Sequence, residues 1–393
     1  MAGSYIVAGA RTPIGKMSGA LASFSAAELG AIAIKAALER AGVAGTEVEH
    51  VIMGQVLMAG QGQVPSRQAA VKAGIPMNVP AININKVCLS GLNAIYLADQ
   101  MIQAGDADIV VAGGMESMTN APYIAAGARG GFRYGNTELK DAIIADGLWC
   151  AFDACLMGLG TERYTAGGIS RAEQDDLAMK SNQRAAAAIA SGRLAEEIAP
   201  VSIAQRKGDP VMVTTDEGVR ANTTMESLGG LKPAFDKDGT ITAANASQIS
   251  DGGSAVVLMS EKAVNARGVS PLGQFVSYGM VAGPDSASLL QQPSRAIMTA
   301  LGRAGLGVGD VDLFEINEAF AAVGIASMAD LGISDEIVNV NGGAIALGHP
   351  IGMSGNRLAL TLLHELRRRG GGTGAAALCG GGGQGDALVL RTV

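Results

Sequence analysis

Thiols and imidazoles are scarce in this 393-residue chain, which carries four cysteines and three histidines. Cys88, Cys150, Cys155 and Cys379 show no CxxC spacing, and His50, His349 and His364 add no ligand pattern, so no metal is expected. A disulfide framework is equally unexpected in a chain of this size without a secretory leader. Aromatic residues make up only 4% of the sequence, which argues against a bulky aromatic groove. Basic residues number 29 against 36 acidic ones, a net charge of −7, and no basic stripe forms, so nucleic acid is excluded as a partner. No apolar run approaches the ~20 residues of a membrane helix, and no membrane association is expected. Met1-Ala2-Gly3-Ser4-Tyr5-Ile6-Val7 lacks a basic region followed by a long apolar stretch, and Arg391-Thr392-Val393 is not a peroxisomal address. A cytoplasmic location is the expectation.

What is abundant is small and apolar. The chain is 48% hydrophobic with 56 glycines, a composition suited to close-packed strands and tight turns, and its length suggests two to three domains. Val51-Ile52-Met53-Gly54 and Asp108-Ile109-Val110-Val111-Ala112-Gly113 read as buried strands, and Ala26 to Arg40 and Leu89 to Gln103 as helices. That alternation predicts an α/β fold with buried, largely parallel strands. A weak repeat joins the two ends of the chain. Leu89-Ser90-Gly91-Leu92-Asn93-Ala94 opens a helix followed by a strand into Gly113-Gly114. Met353-Ser354-Gly355-Asn356-Arg357-Leu358 opens another, followed by a strand into Cys379-Gly380-Gly381. The pair suggests a duplicated unit whose small-residue helices pack closely. The stretch from Thr119 to Gln248 is more charged and reads as an insertion, with one helix opened by the capping box Ser170-Arg171-Ala172-Glu173. Phe235-Asp236-Lys237-Asp238-Gly239-Thr240 lacks the later glycine and terminal glutamate of a calcium loop and reads as a reverse turn.

Four segments carry candidate chemistry. Cys88 would sit between a strand and the first turn of a helix, where free N–H groups and the helix dipole favour a thiolate; a packed core thiol is the competing reading. His349, in Gly348-His349-Pro350-Ile351-Gly352, precedes a second helix start with its backbone fixed by glycine and proline. Cys379 opens Gly380-Gly381-Gly382-Gly383-Gln384-Gly385, which formally contains GxGxxG. The next residues, Asp386-Ala387-Leu388-Val389-Leu390-Arg391, read as a strand rather than a helix, so a dinucleotide site fails and a turn with N–H groups free for an oxyanion survives. Asn317 follows Leu313-Phe314-Glu315-Ile316 and would either cap a helix starting at Glu318 or act catalytically.

Together these segments resemble the thiolase family. The match rests on Val87-Cys88-Leu89-Ser90-Gly91-Leu92, Asn317-Glu318-Ala319-Phe320-Ala321, Gly348-His349-Pro350-Ile351-Gly352 and Cys379-Gly380-Gly381-Gly382, in the family's order and spacing. Ala10-Arg11-Thr12-Pro13, Gly113-Gly114-Met115-Glu116-Ser117-Met118 and Asn245-Ala246-Ser247 before Asp251-Gly252 extend it along the whole chain. The resemblance implies a duplicated αβαβα five-layered sandwich with an inserted loop domain: an N-terminal half of 1–118 plus 249–270, a loop domain of 119–248 that binds coenzyme A, and a C-terminal half of 271–393. It implies an acetyl-CoA C-acetyltransferase that joins two acetyl-CoA reversibly through an acyl thioester on Cys88. His349 would take the thiol proton and Cys379 would act as acid and base. His349 and a water held by Asn317 would stabilise the enolate, and the N–H groups of Cys88 and Gly381 the tetrahedral intermediate. Coenzyme A is then substrate and product, with no separate cofactor, and the assembly a homodimer or homotetramer. For the ligand the resemblance points to Arg220 at the nucleotide end and Ser247 at the pantetheine. It adds Ser227 and Phe235 on matching stretches, and Met157, Leu148, Ala319 and Phe320 around the acyl group.

The chain also departs from the family. Leu156 stands where many members carry a histidine, Leu289-Leu290-Gln291-Gln292-Pro293 replaces a Gly-Pro-x-Pro stretch, and Met353 occupies a site often held by a small residue. These changes bear on acyl-chain length and leave a broad 3-ketoacyl-CoA thiolase as an alternative. Ketosynthase-type relatives place a histidine where Cys379 stands. A non-catalytic CoA- or lipid-binding relative is the alternative of another class.

Overall fold

The computed structural model describes residues 3–166 and 168–393. Its principal strands and helices, in chain order, are β1 (Ser4–Arg11), α1 (Ala26–Ala41), β2 (His50–Gly54), α2 (Pro65–Lys72), β3 (Ala81–Ile84), α3 (Ser90–Ala104) and β4 (Ile109–Ser117). Then come α4 (Met157–Thr165), α5 (Arg171–Ala190), β5 (Ser250–Ser260), β6 (Gly273–Ala282), α6 (Gln292–Ala304), β7 (Leu313–Ile316), α7 (Ala321–Leu331), α8 (Ser354–Arg368), β8 (Thr373–Gly380) and β9 (Gln384–Arg391). The large strands hydrogen-bond in the order β7-β8-β9-β6-β1-β5-β4-β2-β3.

Duplication is visible in that order. The first half runs β1-α1-β2-β3-α3-β4-β5, and the second runs β6-α6-β7, then α8-β8-β9, with Val338 bridging Phe314 in parallel where β3 pairs with β2. The halves join where Tyr5 and Ile6 of β1 meet Gln274 and Gly273 of β6. The strands are more antiparallel than the sequence suggested: β7/β8, β4/β2 and β2/β3 are parallel, whereas β1, β5, β6 and β9 pair antiparallel throughout. Apolar runs buried on both faces look alike in either orientation. The tight glycine turn between β8 and β9 allows only the antiparallel return.

Side-chain alternation along each strand creates the layers. Val51, Met53, Val111, Val257 and Met259 face α1 and α2, while Ile52, Val110, Ala112, Val256 and Leu258 face a central layer. From the other half, Ala376, Leu378, Leu388 and Leu390 face the same central layer, and Ala375, Ala377, Ala387 and Val389 face α6. The central layer is α3 and α8, which supply Leu92, Ile95, Ala98, Leu358, Leu362 and Leu363. Each such leucine or isoleucine contributes about 1.5–3 kcal/mol by leaving water. The two helices touch at their first turns. A Cβ on Gly91 would lie 2.8 Å from Asn356 N, and one on Gly355 2.4 Å from Leu92 N, so both positions admit only glycine. This contact brings the segments preceding both helices, which hold Cys88 and His349, to one place.

Between β4 and β5 the chain leaves the sheet. Ser170 and Glu173 form the expected reciprocal cap on α5, with Glu173 N donating to Ser170 Oγ at 3.2 Å and Ser170 N to Glu173 Oε2 at 2.7 Å. Leu177 and Ala178 of α5 pack on Ala321 and Ile345. Arg11, fully buried at the end of β1, ties the excursion down by donating to Glu197 at 2.7 Å and to both carboxylate oxygens of Asp216 at 2.6 and 2.9 Å. Asp236 accepts from Asp238 N at 3.1 Å and its carbonyl from Gly239 N at 3.0 Å, the reverse turn expected there.

Candidate active site

Cys88 lies in the three-residue step, Val87 to Leu89, between Lys86 and α3. Val87 holds φ 51, an unfavourable value for a β-branched residue, and the turn is fastened by Ser90 Oγ, which donates to Val87 O at 2.6 Å and accepts from Lys86 N at 2.8 Å. Lys86 reaches the other half of the fold and pairs with buried Asp386 at 2.7 Å. The glycine turn after β8 leans on this step. A Cβ on Gly380 would sit 2.7 Å from Leu89 Cγ, and one on Gly381 3.5 Å from Val87 Cγ1. The N–H groups of Cys88 and Gly381 lie close to the Cys88 sulfur and favour a thiolate. Burial outweighs them and pushes the thiol up to about 12. The N–H groups at the helix start favour the thiolate, as expected, and burial opposes them. Cys379, at the end of β8, is fully buried, and its thiol is raised by burial and then by the adjacent Cys88 sulfur. The two sulfurs are thus neighbours, 291 positions apart in sequence.

His349 enters from the loop before α8. Its backbone N donates to Gln248 O at 3.1 Å, which ties the loop to the approach to β5. Ser354 Oγ lies 2.9 Å from Pro350 O and 2.6 Å from His349 Nδ1; with its single proton on Pro350 O, it accepts from Nδ1–H. That assignment leaves Nε2 unprotonated, with the Asn317 amide Nδ2 3.5 Å away. Burial, and then the positive charge of Arg357, lower the imidazole to about 4, so it is neutral near neutral pH. Asn317 does not cap a helix. Its N–H continues the sheet by donating to Ala377 O at 2.9 Å, α7 begins only at Ala321 behind Phe320, and the buried Asn317 Oδ1 has no protein partner. A side chain whose amide nitrogen reaches the imidazole and whose oxygen is left free is poised toward the site rather than toward a helix end.

Two supporting residues went unassigned in the sequence reading. Glu116, fully buried in β4, accepts from Val56 N and Leu57 N at 3.0 Å each and from Gly352 N at 2.9 Å, binding the His349 loop to the segment that packs on Cys88. Burial pushes it up to about 7 against the pull of those three N–H groups. Glu318 accepts from Ser181 Oγ at 2.7 Å, Asn339 Nδ2 at 2.9 Å and Ile345 N at 3.1 Å, fixing the backbone beside Asn317. A carboxylate inside an apolar strand was the available signal for Glu116. The hydroxyl of Ser354 gave none, since a serine in a first helical turn is ordinary.

A cleft of about 600 Å³ leads to His349. Its walls include Leu148, Leu156, Met157, Phe235, Phe320 and Ser247, with Arg220 and Lys16 as the lining cations. Phe235 and Phe320 meet edge to face at 6.1 Å between ring centres. Cys379 shares an apolar cluster with Met157, Phe235 and Phe320, and Cys88 one with Leu148, Ile249 and Ile351, so both sulfurs back onto the walls of the same cleft. Of the residues expected around the ligand, two do not line it. Ala319 is buried and acts through its carbonyl, which accepts from Ser247 N at 3.0 Å. Ser227 sits on a short exposed helix, where its N–H and hydroxyl are engaged with Thr224.

The described residues hold no cluster of three or more His, Cys, Asp or Glu side chains able to bind a metal, and no helix long and apolar enough to cross a membrane. The family models for "Thiolase, N-terminal domain" and "Thiolase, C-terminal domain" match residues 4–262 and 269–392. A "Probable acetyl-CoA acetyltransferase" of Mycolicibacterium smegmatis is 58% identical, covering 98% of this chain and 100% of its own length. One of the same name from Mycobacterium tuberculosis is 57% identical over the full length of both chains. The "Acetyl-CoA acetyltransferase" of Cupriavidus necator is 53% identical over 98% of each. The paired sulfurs, the imidazole and the amide therefore stand in a framework shared from end to end with these proteins, and the chain belongs to the thiolase family.

Proposed function

We propose that this enzyme is an acetyl-CoA C-acetyltransferase that works through an acyl-Cys88 intermediate, with coenzyme A as substrate and product. The observation that carries the reading is the meeting of Cys88, Cys379, Gly381 N–H and the His349 imidazole at one end of an apolar cleft. Relatives named acetyl-CoA acetyltransferase at 50–58% identity support the choice of substrate.

In the first half-reaction His349 Nε2 removes the Cys88 proton as the sulfur attacks the thioester carbonyl. The N–H groups of Cys88 and Gly381 hold the oxyanion, and coenzyme A leaves as a thiol by taking the proton of Cys379, which leaves a Cys379 thiolate beside protonated His349; that imidazolium later returns its proton to Cys88. Because the resting thiol and imidazole are both neutral, proton transfer accompanies attack instead of preceding it. In the second half-reaction Cys379 takes an α-proton from a second acetyl-CoA, whose enolate oxygen faces His349 and the Asn317 side chain. The carbanion attacks the acyl-Cys88 carbonyl, and acetoacetyl-CoA leaves as Cys88 regains a proton. Residues 119–248 form the proposed coenzyme A-binding loop domain, inserted into an N-terminal half of 1–118 plus 249–270 and followed by a C-terminal half of 271–393. Arg220 would meet the nucleotide phosphates, Ser247 the pantetheine, and Leu148, Met157, Phe235 and Phe320 the acyl end. Ser227 would act from the flank of the cleft and Ala319 through the backbone. A soluble homodimer or homotetramer in the cytoplasm completes the reading, and light scattering after size exclusion decides between the two assemblies.

Leu156 on the cleft wall, in place of a polar histidine, favours a second reading in which longer 3-ketoacyl-CoAs are also accepted. Thiolysis across a chain-length series separates the two. A kcat/KM highest for acetoacetyl-CoA supports the first; activity confined to long chains overturns it.

A further inference from the structure

Two cysteines remain outside the chemistry above. Trp149–Cys150 and Cys155–Leu156 form a small antiparallel hairpin in which Cys150 stands directly opposite Cys155. Directly opposed residues point to the same face with Cα atoms about 4.5–5.5 Å apart, inside the ~4.4–6.8 Å that a disulfide requires. Both side chains are buried, and both thiols are free. Asp153 N donates to Cys150 Sγ at 3.4 Å, and Arg163 Nη1 to Cys155 Sγ at 3.7 Å. The hairpin is also part of the cleft. Leu148 precedes it, and Leu156 and Met157 end it and follow it, all three on the lining. At its tip Phe152 lies against the glycine turn, with Phe152 Cε2 3.1 Å from where a Cβ on Gly382 would be. Only two residue pairs hold the hairpin, and Phe152 is 80% exposed, so local opening can present the thiols to a reagent.

We propose that Cys150 and Cys155 are a redox modification site, closed into a disulfide by exchange with a low-molecular-weight disulfide, which clamps the acyl-end wall of the cleft. One cysteine thiolate attacks a sulfur of the small disulfide and releases one thiol. The second cysteine then attacks the mixed disulfide and releases the other. The two cysteines are oxidised, the reagent is reduced to two thiols, and the two cysteine protons end on them. A hairpin fixed across its middle holds Leu148 against Leu156 and Met157, so the closed form discriminates more strongly between short and long acyl chains. That kinetic consequence rests on the acyl-CoA reading of the cleft; the bond itself does not.

The test treats the full-length enzyme with glutathione disulfide, blocks remaining thiols with iodoacetamide and digests with trypsin, which leaves both cysteines in the peptide from Asp141 to Arg163. The expected peptide is two hydrogens lighter, unalkylated at both positions and restored by dithiothreitol. In the same samples, the kcat/KM ratio for four-carbon against six-carbon 3-ketoacyl-CoA rises about threefold or more, a threshold below the roughly 10–200-fold that one methylene contact in an apolar pocket can supply. C150A and C155A show no such rise. Alkylation of both cysteines after treatment, glutathione left on one of them, or a closed disulfide with an unchanged ratio each overturns the proposal. So does a loss of activity shared equally by wild type and C150A without a change of ratio. Failure of the acyl-CoA reading would appear separately, as absent thiolysis in the untreated enzyme.

Discussion

The Ser354 hydroxyl decides which nitrogen of His349 is free, and Ser354→Ala tests whether that matters. In the wild type the hydroxyl accepts from Nδ1–H at 2.6 Å and spends its own proton on Pro350 O. Alanine strands a buried N–H, at a cost of about 1–3 kcal/mol. The imidazole can avoid that cost by moving its proton to Nε2, where the unpaired Asn317 Oδ1 becomes available once the amide turns over. The proton then blocks the nitrogen that should accept from Cys88. A preference of ~1–3 kcal/mol for the wrong tautomer leaves the basic one at roughly a fifth to a hundredth of the population, at 1.4 kcal/mol per tenfold. The rate of Cys88 acylation in a single turnover with acetyl-CoA should fall by that factor. KM should change little, because Ser354 does not line the cleft. Nitrogen NMR of labelled histidine reads the tautomer directly. Acylation within a factor of about two of wild type, with the proton still on Nδ1, would refute the reasoning, because an unsatisfied buried donor would then have cost nothing.

Three further outcomes follow from the same geometry. Because burial holds the Cys88 thiol up to about 12 and His349 down to about 4, iodoacetamide should alkylate Cys88 ever faster from pH 6 to 9; a plateau below pH 7 would mean a resting ion pair instead. His349 takes its proton at 6.5 when unfolded but only at about 4 when folded, so acid favours the unfolded chain; relative to His349→Asn, wild type should lose about 2 kcal/mol of stability between pH 7 and 5 in denaturant titrations. Glu116 works in the opposite sense, since its raised carboxyl destabilises the fold as pH climbs toward 7, and it cancels in that difference; an equal loss in both proteins would remove His349 as the cause. Gly355→Ala places a methyl 2.4 Å from Leu92 N, where neither backbone can yield, and should cost about 1–3 kcal/mol or more and slow acylation as the α3–α8 contact opens; unchanged melting and activity would show that the contact does not set the site.

What was legible in the sequence divides along a physical line. Features written in local pattern came through: the buried runs of β2 and β4, the α5 cap at Ser170, the strand rather than helix after Gly385, and the close approach at Gly91 and Gly355. Strand direction did not, because a strand buried on both faces carries the same apolar run whether its neighbour is parallel or antiparallel. The ionisation of Cys88 was read from its place at a helix start, a local cue. The burial that opposes this cue comes partly from the glycine turn after Cys379, at the far end of the chain, and Asn317 looked like a helix cap only while the start of α7 was unknown.

The same distinction explains why the site depends on so many silent residues. Its reactive atoms come from four segments, and three of these are tied to distant parts of the chain as well as to their own elements. The Cys88 step is tied across the halves by Lys86 and Asp386, the His349 loop to the first half by Glu116, and the Asn317 strand end to the inserted segment through Glu318 and Ser181. Each tie joins segments separated by well over a hundred positions, and each involves a buried carboxylate whose burial opposes its charge. Ionised carboxylates in such places are tolerated only where several donors converge on them, so any shift of one loop leaves a charge without its partners. That penalty is what holds a thiol, a second thiol and an imidazole in register in a fold built from two copies of one unit, neither of which contains the site alone.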